Sequence, residues 1–195
     1  MPVMPSDKTA EPFGLDKNAH PASAGRRAWL RAMLAASAVA GGAWPGPARA
    51  AGLELGQAAP PLVLHTLDGQ NIETRSLLGK VVILTFWATW CDPCREELPL
   101  LSAYAARHAG QGLQVLGFSL DGPENLAEVR QVAAGLSFPV GLLGSAWAGD
   151  YGRMWRIPVS FTIDRSGRLS DNGWDDKQPV WTAERLERIV TPLLG

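Results

Sequence analysis

The densest apolar run in the chain is Val81-Val82-Ile83-Leu84-Thr85-Phe86-Trp87. Near-continuous apolar character, in place of alternation, predicts a strand buried on both faces at the centre of a covered sheet. Before it, Leu62–His65 reads as a short strand, Leu67–Gln70 as a turn and Gln70–Glu73 as the return, with Ser76–Lys80 leading on to the central strand. After it, a helix is expected from about Pro93 to Ala109, kinked at Pro99. Leu113–Leu120 predicts a second apolar strand, Asn125–Ala134 a second helix, Pro139–Leu142 a short strand and Ser145–Tyr151 a helical turn. Ser160–Asp164 and Arg168–Ser170 frame the turn Asp164-Arg165-Ser166-Gly167, a hairpin. Thr182–Leu194 reads as one closing amphipathic helix with Thr182 as its N-cap. Strand and helix in alternation, followed by a hairpin and a helix, predict an α/β fold with a central mixed sheet flanked by helices on both faces.

Residues 1–50 have a different character. Met1–Gly25 is polar with little periodicity; Arg26-Arg27-Ala28-Trp29-Leu30-Arg31 then precedes the modestly apolar run Ala32–Ala43. That run is too short to span a bilayer, which needs about 20 apolar residues. Pro45 and Pro47 end it, and Ala48-Arg49-Ala50 offers small residues at the positions a signal peptidase reads. The segment is expected to be an export signal cleaved after Ala50, leaving one domain over residues 51–195. The paired arginines resemble a twin-arginine signal, in keeping with the long polar lead, the weakly apolar core and Arg49 near the cut. A general secretory signal is the alternative. No cysteine follows the apolar run, so a lipid anchor is not expected.

Composition then bounds the function. The chain has 195 residues, 46% hydrophobic and 19% charged, enough for one domain with a full core. Its net charge of −1 gives no electrostatic case for nucleic acid. Residues 1–50 hold six of the 18 Lys/Arg and three of the 19 Asp/Glu, so the remainder carries about −4. A soluble periplasmic monomer is the expectation, with its thiols in an oxidising compartment.

Both cysteines of the chain lie in Cys91-Asp92-Pro93-Cys94. So small a ring stabilises a fold little, about 2 kcal/mol on the chain-entropy model, so the pair is better read as a redox dithiol than as a staple. A helix beginning near Cys94 puts Cys91 at its N-terminus, where unpaired N–H groups and the dipole favour an anion. Cys91 is therefore the expected attacking thiolate with an exposed sulfur, and Cys94, a turn further in, the buried resolving thiol. Pro93 suits the first helical turn. Asp92 disfavours an adjacent thiolate, which points toward a reductant.

The segment Phe86-Trp87-Ala88-Thr89-Trp90-Cys91-Asp92-Pro93-Cys94-Arg95-Glu96-Glu97 resembles the active site of the TlpA/ResA group of thioredoxin-fold thiol–disulfide oxidoreductases. The Asp68-Gly69 hairpin and the Gly79-Lys80-Val81 lead-in are similar to that group too, so the resemblance runs from about Leu55 to the C-terminus. It implies a thioredoxin-like fold with an N-terminal hairpin extension and no cofactor. It also implies a client among exported proteins, for example apocytochrome c or copper-site cysteines. A membrane electron donor of the DsbD/CcdA type would recharge the dithiol. Glu97 matches the group's buried carboxylate, which assists proton movement at the resolving thiol; the competing reading is a solvated first-turn acid. Thr85 stands where cytosolic thioredoxins carry Asp. Ile157-Pro158 resembles the cis-proline loop, which would offer the Ile157 backbone to a client strand. Arg156 departs from the usual Gly there, and Val159 from Thr or Glu. Trp90 is expected at the site and Trp87 in the core; Trp174 and Trp181 fit late-domain packing better than a second surface.

Three rivals remain. A dithiol oxidase or isomerase shares the fold. A peroxiredoxin wants Thr-x-x-Cys, whereas Thr89 is two residues before Cys91. A Sco-type copper carrier wants a wider cysteine gap and a distant His ligand; His65 and His108 have no metal-site spacing, so no metal is expected.

Overall fold

The computed structural model describes residues 53–195; the expected leader and its cleavage point lie outside the described residues. In chain order, β1 (Val63–His65) and β2 (Asn71–Glu73) form a hairpin ahead of β3 (Val81–Trp87). Then come α1 (Asp92–His108), β4 (Leu113–Ser119), α2 (Leu126–Ala133) and β5 (Val140–Leu142). The chain ends with β6 (Val159–Ile163), β7 (Leu169–Asn172), α3 (Ala183–Ile189) and α4 (Thr191–Leu194). The five-stranded sheet has the order β5-β4-β3-β6-β7, with β3, β4 and β5 mutually parallel, β6 antiparallel to β3 and β7 antiparallel to β6.

Every residue of β3 is buried, as its unbroken apolar run predicts, because cores lie on both faces of the sheet. Val81, Ile83 and Trp87 join Leu98 and Leu101 of α1, Val129 of α2 and Leu186 of α3 on one face. Val82, Leu84 and Phe86 join Leu64, Tyr151, Phe161 and Leu169 on the other. A helical turn at Gly149–Tyr151 and the β1–β2 hairpin contribute to this second core. Each large side chain so buried contributes about 1.5–3 kcal/mol. The hairpin seats closely on β5: the Leu67 N–H donates to the Val140 carbonyl at 2.9 Å. A Cβ on Gly141 would stand 2.0 Å from the His65 carbonyl oxygen, so the approach requires glycine.

Two expectations change. The closing helix is divided between α3 and α4 at Val190, because Pro192 has no N–H to donate to the Arg188 carbonyl. The stretch at Ser145–Tyr151 is helical only at Gly149–Tyr151, enclosed by a β-bridge between Trp147 and Arg153. Helix α1, by contrast, continues unbroken through Pro99.

The register then places the chemistry. Antiparallel pairing sets Phe86 of β3 opposite Val159 of β6. Trp87, which leads to Cys91, and Pro158, which precedes β6, therefore sit at the same end of the sheet.

Candidate active site

The turn from β3 into α1 is braced from below. Asp121, 3% exposed, accepts from the Thr89 N–H at 2.9 Å, the Thr89 hydroxyl at 2.6 Å and the Ser119 hydroxyl at 2.6 Å. A buried carboxylate with three donors is well satisfied, and it fixes the backbone just before the dithiol.

Cys91 is the N-cap of α1 in extended conformation, and its Sγ accepts the Cys94 N–H at 3.3 Å. That satisfies one of the orphan donors at the helix start, while the Arg95 N–H donates to the Cys91 carbonyl at 3.1 Å. The two cysteines are joined as a disulfide. Cys94 is fully buried, but Cys91 is only 6% exposed, which corrects the expectation of an open sulfur. In the disulfide form Cys91 belongs to the core cluster of Trp87, Ala88 and Leu98. The helix also begins earlier than expected, at Asp92, with Pro93 exposed in its first turn.

Glu97 is not a solvated first-turn acid. It lies on α1 three residues beyond Cys94, is 2% exposed, and accepts the Trp181 N–H on Oε2 at 2.7 Å. Among the described residues its Oε1 has no hydrogen-bond partner. Burial pushes its pKa up to about 7, opposed by the Trp181 N–H and by the positive charge of Arg185. Its midpoint is thus brought near neutrality, on the same helix and three residues beyond Cys94.

Trp90 is 65% exposed and walls a cleft of about 490 Å³ with Thr89, Arg95, Glu128, Gln131 and Val132. The Ile157–Pro158 bond is cis. Ile157 packs against the cluster that contains both cysteines, and Pro158 is buried. Trp174 and Trp181 are packed: Trp174 stacks on Trp155 at 5.5 Å, and Trp181 is 2% exposed with its Nε1 donating to Ser160 Oγ at 3.0 Å. Among the described residues no group of His, Cys, Asp and Glu is arranged to hold a metal ion.

The AhpC/TSA family model matches residues 55–171. Thiol-disulfide oxidoreductase ResA of Bacillus anthracis is 33% identical over 144 residues, covering 72% of this chain and 80% of ResA. The chain belongs to the AhpC/TSA family, among its ResA-like thiol–disulfide oxidoreductases. Thioredoxin-like protein YneN of Bacillus subtilis is 33% identical over 123 residues, covering 62% of this chain and 71% of YneN. A thioredoxin-family thiol:disulfide interchange protein of Chlorobium tepidum superposes with a TM-score of 0.61 at 31% identity, covering 71% of this chain and 97% of the other.

For a ResA-like oxidoreductase, Cys91 and Cys94 are the redox-active pair, and the chain is an enzyme of thiol–disulfide exchange. Three contributors escaped the reading of the sequence. Asp121 had one local signal, a lone acid beside Ser119 where an apolar strand runs out. Arg185 had none, and Trp181 only its place beside a helix cap.

Proposed function

We propose that the chain is an exported, periplasmic reductant of disulfides in other exported proteins. The observation that carries this reading is the pairing of a helix-capping Cys91 with a buried, proton-exchanging Glu97 one turn beyond Cys94. Asp92 between the cysteines supports the reducing direction, since a nearby carboxylate disfavours the thiolate of the reduced form.

The reaction starts from the dithiol. Cys91 thiolate attacks one sulfur of the client disulfide; a mixed disulfide forms and one client thiolate leaves. Glu97 as carboxylate takes the Cys94 proton. The Cys94 thiolate then attacks Cys91 Sγ, releasing the second client thiolate and leaving the Cys91–Cys94 disulfide. Two electrons have passed to the client, and Glu97 returns its proton to the departing sulfur or to water. Trp90, Pro93 and Ile157 form the client-facing rim beside the buried Pro158, with the Ile157 backbone open to strand addition. Recharging in an oxidising compartment needs two electrons from a membrane donor of the DsbD/CcdA type.

A Cys94→Ser variant tests the reading, because its mixed disulfide with Cys91 cannot be resolved. Expressed with its leader, it is expected to capture exported proteins in the periplasmic fraction through Cys91. Absence of any covalent adduct there, with adducts only to cytosolic proteins, overturns the proposed client class.

A further inference from the structure

Arg156 is held by an unusual set of partners for a residue next to the client-facing loop. Its Nη2 donates to the carbonyls of Gly173 at 2.7 Å, Trp174 at 3.0 Å and Asp176 at 2.9 Å. Its guanidinium carbon lies 5.2 Å from the Trp155 ring and 5.7 Å from the Trp174 ring. Planar delocalised charge suits both the stacking and the fan of carbonyl acceptors; an ammonium would not combine them.

The three acceptors all lie just after β7, where strand pairing has ended and backbone carbonyls need other partners. Gly173 itself is pressed on β6, since a Cβ there would meet the Ser160 carbonyl oxygen at 2.3 Å. Beyond it, Asp175, Lys177 and Gln178 are exposed, and no strand or helix forms before α3. Side-chain bonds from two arginines therefore hold this segment. Arg156 takes the Asp176 carbonyl, while Arg185 Nε pairs with the Asp176 carboxylate at 3.2 Å and Arg185 Nη2 with Asp171 at 3.0 Å. The Arg185 guanidinium lies 4.2 Å over the Trp181 ring, and the Trp181 backbone N–H is the group that caps Glu97.

We propose that Arg156 is a positioning residue for thiol–disulfide exchange: it ties the Ile157–Pro158 loop and the Trp181 cap of Glu97 to one shared segment, residues 173–181. Both then keep a fixed place relative to Cys91 and Cys94. The inference rests on the exchange chemistry of the dithiol and not on the location of the protein or its clients. Releasing the segment has two consequences. The loop that receives the client loses its rear support, which weakens binding more than turnover. Water also reaches Glu97, whose raised pKa comes first from burial. The charged groups around it are Arg185 of α3 and, through Arg185, Asp171 of β7 and Asp176 of the segment. With burial relieved, the carboxyl should titrate closer to its ordinary value of 4.5.

The test compares the protein with Arg156→Gly and Arg156→Met, the second keeping an apolar stem against Trp155 and Trp174 without any donor. Insulin is the disulfide substrate and dithiothreitol the electron source. The expected result is a KM for insulin raised about tenfold with kcat within about twofold, the loss of one charge-assisted contact's worth of positioning. Carbon NMR of glutamate-labelled oxidised protein should show the Glu97 midpoint lowered by about one pH unit. A lower unfolding temperature with KM and the Glu97 midpoint both unchanged makes Arg156 a staple only and overturns the proposal. Movement of one readout without the other overturns the shared segment. Should the glycine variant not fold, the methionine variant supplies both readouts.

Discussion

The backbone N–H of Trp181 meets Oε2 of Glu97 at 2.7 Å, across 84 residues of sequence. The contact satisfies one oxygen of a buried carboxyl and leaves the other without a partner among the described residues. A protonated acid fits that environment, with Oε2 accepting and Oε1 carrying the proton. An ionised one has a buried negative charge answered by one N–H and the nearby Arg185. The carboxyl is thus balanced between two states, as the proton exchange proposed for it requires.

That balance fixes a pH dependence. Glu97 titrates near 4.5 when unfolded and near 7 in the fold, so the folded protein holds the extra proton between those values. Its contribution is fully present at low pH and falls as pH rises through 7, by an amount on the order of 3 kcal/mol. Glu97→Gln keeps an acceptor for Trp181 and has no charge to bury. Urea unfolding of the oxidised proteins should show the variant more stable at about pH 8, with the gap closing toward about pH 5. Parallel pH profiles would rule out Glu97 as the titrating group.

Asp121→Ala removes the acceptor for two Thr89 donors and one from Ser119. Stranding one buried and two half-buried donors beneath the active-site turn should destabilise the protein by roughly 3 kcal/mol. Insulin reduction should fall even well below the unfolding temperature, because the Thr89–Cys91 backbone loses its support. Thermal unfolding and turnover measured together check this; a full-activity variant would show that the brace serves stability alone.

Trp90→Ala is expected to act in the opposite way. The side chain is 65% exposed, so stability should change by no more than about 0.5 kcal/mol. If Trp90 contacts the client, KM for insulin rises several-fold while kcat holds. An unchanged KM removes Trp90 from the client-facing rim.

Gly141→Ala tests the seating of the hairpin. Its Cβ would approach the His65 carbonyl oxygen to 2.0 Å, a backbone clash that no rotamer relieves. A loss of about 2 kcal/mol or more is expected. Hydrogen exchange should show faster opening at Leu67, whose N–H bonds the Val140 carbonyl across this contact.

Legibility followed the range of the interactions. The bounds of β3 coincide with the apolar run, because a strand buried on both faces leaves no polar position to blur its ends. The dithiol was legible because a four-residue spacing and a helix start are local features. So was the cis bond before Pro158, through the resemblance of its segment. The division at Val190 was in reach as well, since Pro192 forbids the hydrogen bond that one continuous helix needs. Exposure of Cys91 was not, because it depends on what packs above the helix end.

By itself the sequence determined the order of elements, the buried central strand, the reactive pair and the family of chemistry. The first three rest on spacing and hydrophobic pattern, and the last on the resemblance carried by Phe86–Glu97, all of which the chain holds wherever it folds. Only the tertiary structure decided that Trp181 caps Glu97, that Asp121 braces Thr89, and that Arg156 gathers the carbonyls of Gly173, Trp174 and Asp176. In these contacts at least one partner is a backbone N–H or carbonyl. Every residue has a carbonyl and almost every residue an N–H, so no residue type announces which of them a distant side chain will find.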